Sequence, residues 1–348
     1  MPEAYQQLTI AAIRQHGAGT RTLVLQPAPG QEIVYQAGQY LTLVRAVHGR
    51  EVRRSYSFSS APVLHEAPAI TVKRVDNGLF SRWLVDQARV GDTVCTSGVG
   101  GFFTFPPDLA AYQQLILLGA GGGITPLFSL LKTALHHHPH LAVLLLYSNR
   151  SAADALFVPE LQALARRYPT RLHLELFYSN HPVLYRARLH KELLQTLVQQ
   201  YAPATPARTL AYLCGPLNYM RMGTYGLHEA GLPFAHIRRE LFSTGIAPHA
   251  PLVPPDTAPH QVILTLRGHQ YQLPVQFPHT ILQAAKQQGL KLPYSCEVGQ
   301  CGSCAVRCTQ GQVWMSNNEV LTARELARGL VLTCTGYPVG GDIALNFD

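Results

Sequence analysis

The sequence predicts a multidomain protein of three modules: an antiparallel β-barrel, an α/β domain built on a parallel sheet, and a small α+β domain. Three observations carry that expectation. Up to about residue 99 the chain is a series of short runs rich in Val, Thr and Tyr separated by turns. From residue 114 continuous apolar strands alternate with helical patterns, and a proline-rich stretch then precedes a fresh hairpin-and-helix pattern. A chain of 348 residues is long enough to bury two or three separate cores.

In the first module, residues 22–25, 40–44, 53–57 and 70–75 read as strands punctuated by Gly30, Gly38 and Gly49, with one helix-like piece at 80–87. Some six strands of this kind suit a small antiparallel barrel over residues 1–110. In the second module, residues 115–118, 142–147, 172–178 and 210–213 are apolar strands of the kind buried on both faces of a parallel sheet. Helices lie between them; at 159–168, Leu161, Leu164, Ala165 and Tyr168 follow three-four spacing. This doubly wound module covers 111–243. Residues 244–259 contain Pro248, Pro251, Pro254, Pro255 and Pro259 and read as an extended, semi-rigid linker. The last module, 260–348, opens with a hairpin, 261–266 and 271–275 around Gly268, followed by a helix that Thr280 can cap.

Composition narrows the function. With 47% hydrophobic and 14% charged residues, extended disorder is not expected. The N-terminus lacks the pattern of a secretory leader, and the apolar stretch 115–131 is broken by Gly121, Gly122, Gly123 and Pro126, so a cytoplasmic protein without a membrane span is expected. The formal charge of +8 comes from scattered Lys and Arg; this argues against nucleic acid and leaves a phosphorylated ligand or an acidic protein as the partner. Seven cysteines, an odd number, cannot form a complete disulfide framework, and four of them lie between Cys296 and Cys308. Metal ligation is the better reading.

Cys296, Cys301, Cys304 and Cys334 have the spacing of a plant-type 2Fe-2S cluster. A tight loop delivers three thiolates to one anionic cluster, while Gly299 and Gly302 let backbone amides approach the sulfurs. A zinc site or buried structural cysteines are the alternatives, but zinc sites more often pair two short knuckles. Cys95 and Cys308 are left over and read as small buried hydrophobes. Thr322 and Glu325 form a capping box, and Gly329 closes that helix so that Cys334 falls on the next strand.

Three weaker motifs precede this loop. Arg54, Tyr56 and Ser57 lie on a predicted barrel strand and offer a cation, a ring and a hydroxyl, which together can hold a phosphorylated aromatic cofactor. Gly121, Gly122, Gly123 and Thr125 follow an apolar strand; Thr125 can cap the next helix, with Pro126 at its first position, and the helix start then faces a pyrophosphate. Cys214, Gly215 and Pro216 close another strand at a strand-to-helix switch, where α/β sheets bind ligands. Their order in one chain is more specific than any single motif.

From about residue 261 to the end the chain resembles a plant-type ferredoxin, which implies a β-grasp fold. Residues 8–242 resemble the ferredoxin-NADP reductase superfamily. The whole is similar to the reductase components of multicomponent oxygenases, most nearly those that serve phenylacetyl-CoA epoxidases. The resemblance implies a flavin site on Arg54, Tyr56 and Ser57 with a second segment at Gly78 and Ser81, ahead of a helix beginning near Arg82. That segment favours FAD over FMN, since FMN has no pyrophosphate to bind there. It also implies that Gly121 to Thr125, Gly215 and Pro216 hold a nicotinamide dinucleotide, that Cys214 approaches the nicotinamide, and that Glu240 and Phe242 lie at the flavin. One departure is that Val99, Gly100 and Gly101 stand where a Pro-x-Gly segment is common. Ser148 and Arg150, at the end of a strand where NAD enzymes prefer an acid, favour NADPH, with NADH also possible.

The expected activity is transfer of hydride from NAD(P)H to FAD, aligned by Ser57, Cys214 and Glu240, and of single electrons through the 2Fe-2S cluster to a protein acceptor, an oxygenase component in the resembling family. Two other functions fit the same residues: a general flavin, quinone or dye reductase, and a redox-sensing interaction module. The residues His136, His137, His138 and His140 read as a solvated loop.

Overall fold

The computed structural model describes residues 5–17, 19–47, 49–76, 78–242 and 252–348. Residues 244–251 of the expected linker lie outside them; 252–259 carry no helix or strand. The chain divides into two compact units, Met1–Phe242 and Ser243–Asp348.

The barrel strands are β1 (Gln6–His16), β2 (Thr20–Pro27), β3 (Tyr40–Val47), β4 (Arg50–Ser57), β5 (Ala69–Lys73) and β6 (Thr93–Gly100). They pair antiparallel in the order β4-β3-β6-β1-β2-β5. A bridge from Phe58, one residue past β4, to Ile70 on β5 joins the two edges and closes the sheet. Leu8 and Ile10, Leu23 and Leu25, and Leu41 and Leu43 are buried, the two-residue period that sends alternate side chains inward. A short helix, α1 (Leu79–Arg82), runs into a π-helical turn, Trp83–Gln87, and Phe80, Leu84 and Val85 join the barrel core.

The parallel sheet contains β7 (Gln114–Ala120), β8 (Ala142–Asn149), β9 (Leu172–Tyr178), β10 (Thr209–Cys214) and β11 (Ile237–Glu240), in the order β11-β10-β7-β8-β9. On one face lie α2 (Ile124–His137) and α3 (Val158–Arg167), packed on Leu115, Leu117, Val143 and Leu145. The short α4 (Leu184–Ala187) leads to α5 (Lys191–Tyr201), which with α6 (Leu217–Glu229) covers Ile116, Leu118, Leu144 and Leu146 on the other face. The chain leaves β7 toward β8 on one side and later returns to β10 on the other. The carboxyl ends of β7 and β10 therefore flank the switch point, where such sheets open a crevice. The histidine tract is not all solvated loop: His136 and His137 end α2, and the rings of His136 and His138 pack against Tyr168 and Phe105.

Barrel and sheet are locked together within the first unit. Ser129 on α2 donates to the Ser60 carbonyl at 2.6 Å, and the buried Lys132 pairs with Glu66. Gly38, at φ +88°, has the Phe103 carbonyl 2.0 Å from where a Cβ would stand. Only glycine fits there.

The second unit is a mixed sheet of β12 (His260–Leu266), β13 (His269–Val275), β14 (Ala305–Met315), β15 (Leu330–Leu332) and β16 (Gly336–Asn346), in the order β13-β12-β16-β14-β15. Only β12 and β16 pair in parallel. Arg267 and Gly268, both at positive φ, make the two-residue hairpin turn. Thr280 and Gln283 form a full capping box on α7 (Ile281–Gln287), whose Ile281, Leu282, Ala284 and Ala285 are buried. A second capping box, Thr322 with Glu325, starts α8 (Ala323–Ala327). This is the ferredoxin-like fold. Cys334, expected on a strand, stands instead in the turn between β15 and β16, because β15 stops after three residues and Thr333 turns its amide to the Cys304 carbonyl at 3.2 Å.

Asp256 ties the end of the linker to this unit. Its carboxylate accepts from the Ala258 amide at 2.9 Å, the Gly340 amide at 2.8 Å and His260 Nε2 at 2.7 Å. These bonds, the two amides first, hold its carboxyl down at about 2. A depressed carboxyl contributes fully above its unfolded value and loses that contribution as pH falls through the folded one. Exchange protection of the Gly340 amide should therefore hold from neutral pH to about 4 and fade toward pH 2. In Asp256→Ala it should be low throughout. Equal protection in both proteins at pH 7 would contradict the tie.

Candidate active site and iron-sulfur loop

The two glycine turns exist because β7 and β10 are neighbours, with Cys214 in register with Gly119. A Cβ on Gly123 would stand 2.1 Å from the Cys214 carbonyl oxygen, and one on Gly215 would stand 2.9 Å from Ala120 Cβ. Gly121, at φ +53°, starts a single 3-10 turn, Gly121–Gly123, that runs directly into α2. Thr125 is consequently not the helix cap. It is the second residue of α2, buried, and donates to the Gly122 carbonyl at 2.9 Å; Pro126 follows it inside the first turn.

Three residues far apart in the chain converge at the end of β11. Glu240 pairs with Cys214 in the parallel ladder, and Ser57, the last residue of β4, donates its hydroxyl to Glu240 Oε2 at 3.1 Å. Burial pushes the Glu240 carboxyl up to about 8, with the Ser57 hydrogen bond opposing. The Cys214 thiol is fully enclosed and is raised by burial and then by Glu240. Burial thus favours the protonated form of both groups. Phe242, two residues on, is about half exposed.

The other sequence-derived residues lie around this point with unequal commitments. Arg54 is exposed and donates to the Arg53 carbonyl at 2.7 Å, whereas Arg53 is buried against Glu51 and Tyr5. Tyr56 packs on the barrel core, edge-on to Phe80 with centroids 6.3 Å apart. The helix expected near Arg82 begins at Leu79 with Gly78 as its cap, and Ser81 lies inside it. Ser81 Oγ accepts from the Val75 amide at 3.2 Å, so its hydroxyl is bound to its own loop. Tyr40 keeps Gly100 and Gly101 small: a Cβ would stand 3.0 Å from its hydroxyl oxygen at the first and 2.9 Å from its ring at the second. Ser148 is half-buried at the end of β8 and Arg150 is exposed just beyond it. Sequence reasoning missed Tyr219 on α6, whose hydroxyl lies 3.5 Å from Ser148 Oγ, and Tyr147, which donates to the Gly121 carbonyl at 3.2 Å. An aromatic residue a few positions beyond Cys-Gly-Pro was the available signal.

In the second unit the thiol of Cys296 lies within hydrogen-bonding reach of those of Cys301 and Cys334, and Cys304 is in reach of Cys334. The donor set is all sulfur, a chain of pairwise contacts; among the described residues no three His, Cys, Asp or Glu side chains enclose a single-ion position. Three amides point at sulfur: Val298 and Gln300 to Cys296 at 3.5 and 3.4 Å, and Ser303 to Cys301 at 3.4 Å. Such donors suit thiolates of an anionic cluster. Gly299, at φ +78°, has the Asn317 carbonyl 2.7 Å from its Cβ position; Asn317 Nδ2 donates to the Val298 carbonyl at 2.7 Å, and Thr335 to the Asn317 carbonyl at 2.7 Å. The loop is thus clamped beside Cys334. The leftover Cys95 and Cys308 are only partly buried, although β6 and β14 are paired on both edges, which corrects the expectation of buried hydrophobes.

Family models match the chain in three successive stretches: an oxidoreductase FAD-binding domain at 7–105, an oxidoreductase NAD-binding domain at 117–224 and a 2Fe-2S iron-sulfur cluster binding domain at 264–339. Together they define an FAD-, NAD- and 2Fe-2S-dependent oxidoreductase. The chain is 33% identical to the ferredoxin reductase component of 3-ketosteroid-9-alpha-monooxygenase from Rhodococcus rhodochrous, over 98% of this chain and 96% of that one. It is 30% identical to a 1,2-phenylacetyl-CoA epoxidase component from Escherichia coli K12, over 99% and 98%. The structure of phthalate dioxygenase reductase superposes with a TM-score of 0.62 at 22% identity, over 99% of this chain and 98% of that one. An intact type IV self-sufficient cytochrome P450 monooxygenase gives 0.73 at 21% identity; this chain covers 41% of it. The chain belongs to the family of ferredoxin reductase components of oxygenase systems, which carry electrons from NAD(P)H through FAD and a 2Fe-2S cluster to a partner oxygenase. Identity is comparable across ketosteroid and phenylacetyl-CoA relatives, so it singles out neither. Among the described residues no helix is long and apolar enough to cross a membrane.

The raised Glu240 carboxyl makes a signed prediction. Between pH 4.5 and about 8 the folded chain keeps a proton that the unfolded chain releases, so rising pH destabilises the fold across that window. Glu240→Gln cannot titrate. The thermal midpoint of flavin release in the wild type should fall relative to that of the variant as pH rises from about 5 to about 8. A constant gap would mean that Glu240 has an ordinary carboxyl.

Proposed function

We propose that the chain takes hydride from NADPH, with NADH a poorer donor, and that Ser57, Cys214 and Glu240 flank the reacting atoms. The observation that carries this is the 3.1 Å bond from Ser57 of the barrel to Glu240 of the parallel sheet, beside Cys214. It supports the reading that the flavin motif of one half meets the nicotinamide motif of the other. Arg54, Tyr56, Ser57, Gly78 and Ser81 would hold the FAD, with Phe242 over it. Gly121, Gly122, Gly123, Thr125, Gly215 and Pro216 would hold the dinucleotide, and Ser148 and Arg150 its adenosine end. FAD held by these residues would supply hydride acceptance and one-electron release, the chemistry that couples a two-electron donor to a one-electron cluster.

The protein's own contribution is alignment of the two cofactors' reacting ends. Glu240 holds a proton on its carboxyl at neutral pH, and Ser57 is oriented by donating to Oε2. Cys214, enclosed beneath the crevice, supplies an uncharged wall. We assign the cluster ligands as Cys296, Cys301, Cys304 and Cys334. Domain limits of 1–110, 111–243 and 260–348 about a linker at 244–259, and a cytoplasmic location, complete the reading. Cys301→Ser should abolish reduction of a cytochrome or natural acceptor while leaving ferricyanide reduction by the flavin largely intact. Equal survival of both activities would contradict the route.

The electron acceptor has to approach the second unit, whose charge differs from that of the chain. Residues 243–348 carry six Lys and Arg against six Asp and Glu, so the whole +8 excess belongs to residues 1–242. Beside the cysteine loop Lys286 and Glu297 already pair at 2.6 Å. Docking there is not steered by net charge, which narrows the expectation of an acidic partner. Acceptor reduction at saturating NADPH should change less than about threefold between about 20 and about 500 mM salt. A steep fall with salt would mean that the basic first unit does the docking.

A further inference from the structure

Tyr219 has no part in the roles assigned above. It stands in the first turn of α6, just after Pro216. Because β10, β7 and β8 are adjacent in that order, a side chain that starts behind β10 and ends at β8 must cross the carboxyl end of β7. Tyr219 does so. Its ring passes Gly215, whose Cβ position is 3.3 Å from Cδ1, and its hydroxyl ends beside β8. There Ser148 Oγ donates to it at 3.5 Å, and it donates to the Leu146 carbonyl at 3.5 Å. Both contacts are at the outer limit of hydrogen bonding, so the hydroxyl of this half-buried residue is only weakly held where it is. Burial raises the phenol further above its ordinary value, and it therefore stays protonated, a donor.

The chemistry of the corner is that of an anion receiver. Two hydroxyls lie 3.5 Å apart, and the exposed Arg150 guanidinium is two residues beyond Ser148. An unphosphorylated ribose would want an acceptor for its hydroxyl proton, but residues 148–150 contain no acid, and the next one along, Asp154, is taken by Ser151 at 2.7 Å. We propose that Tyr219 is a specificity-determining residue: its hydroxyl and that of Ser148 together receive the 2'-phosphate of the adenosine ribose. The phenol O–H turns from the Leu146 carbonyl to a phosphate oxygen. This rests on the NADPH reading above and adds to it a donor from the opposite wall of the crevice.

Tyr219→Phe removes only the oxygen and keeps the ring's packing. The test is calorimetric titration of the flavin-loaded, full-length protein with 2',5'-ADP and with 5'-ADP. Wild type should bind 2',5'-ADP at least about tenfold more tightly than 5'-ADP. The variant should lose about five- to tenfold on 2',5'-ADP and nothing on 5'-ADP, while KM for NADPH rises and kcat with ferricyanide is kept. Preference in the wild type with no loss in the variant would overturn the role of Tyr219 and leave the NADPH reading standing. Equal losses on both probes would make the residue merely structural, which also overturns the proposal. No preference in the wild type would overturn the NADPH reading and this one with it.

Discussion

The approach of Ser57 to Glu240 is the constraint on which the first unit is organised. A hydroxyl at the end of a barrel strand reaches a carboxyl at the end of a parallel strand 183 positions away, at 3.1 Å. That geometry requires the barrel and the sheet to be held rigidly, and the structure does this with the Ser129 bond to Ser60, the Lys132 pair with Glu66, and the glycine-only contact at Gly38. None of these residues needs to touch a ligand. Their work is to fix two cofactor motifs, each ordinary alone, at one place. The same logic operates between β7 and β10, where Gly123 and Gly215 let the two glycine turns lie against each other without a side chain between them.

The second unit solves a different problem, that of holding four cysteine sulfurs close together on one loop and a turn. Backbone amides of Val298, Gln300 and Ser303 supply donors to two of the sulfurs, and the segment around Asn317 braces the loop from behind. Cys334 arrives from a turn, not a strand. A turn can direct a lone cysteine sideways toward the loop, which a strand with alternating side chains does less freely. The unit carries no net charge, whereas the first unit is strongly basic, so nucleotide capture and electron delivery meet different electrostatic fields.

Much of this was legible in the residues, for physical reasons that differ by element. The buried parallel strands announce themselves as apolar runs, and the cysteine spacing is specific because a cluster imposes it. The hairpin at Gly268 and both capping boxes rest on local chemistry that a sequence states directly. Helix starts were less legible. Thr125 looks like a cap, but three glycines form a 3-10 turn that begins the helix before it, and the helix expected near Arg82 starts at Leu79. Long-range convergence was legible only through resemblance: nothing local to Ser57 or Glu240 says that they meet. Tyr219 escaped notice because its importance lies in the strand order it crosses, which no local pattern encodes.

Electrons follow a single path, from nicotinamide to flavin to cluster. Anaerobic addition of NADPH, with the reduced cluster counted by electron paramagnetic resonance, tests it most directly. Flavin-loaded protein should accumulate nearly one reduced cluster per chain, and the same protein stripped of flavin, with its iron and sulfide content unchanged, should accumulate none. Reduction of the cluster at the same rate without flavin, or no reduction with it, would contradict the account.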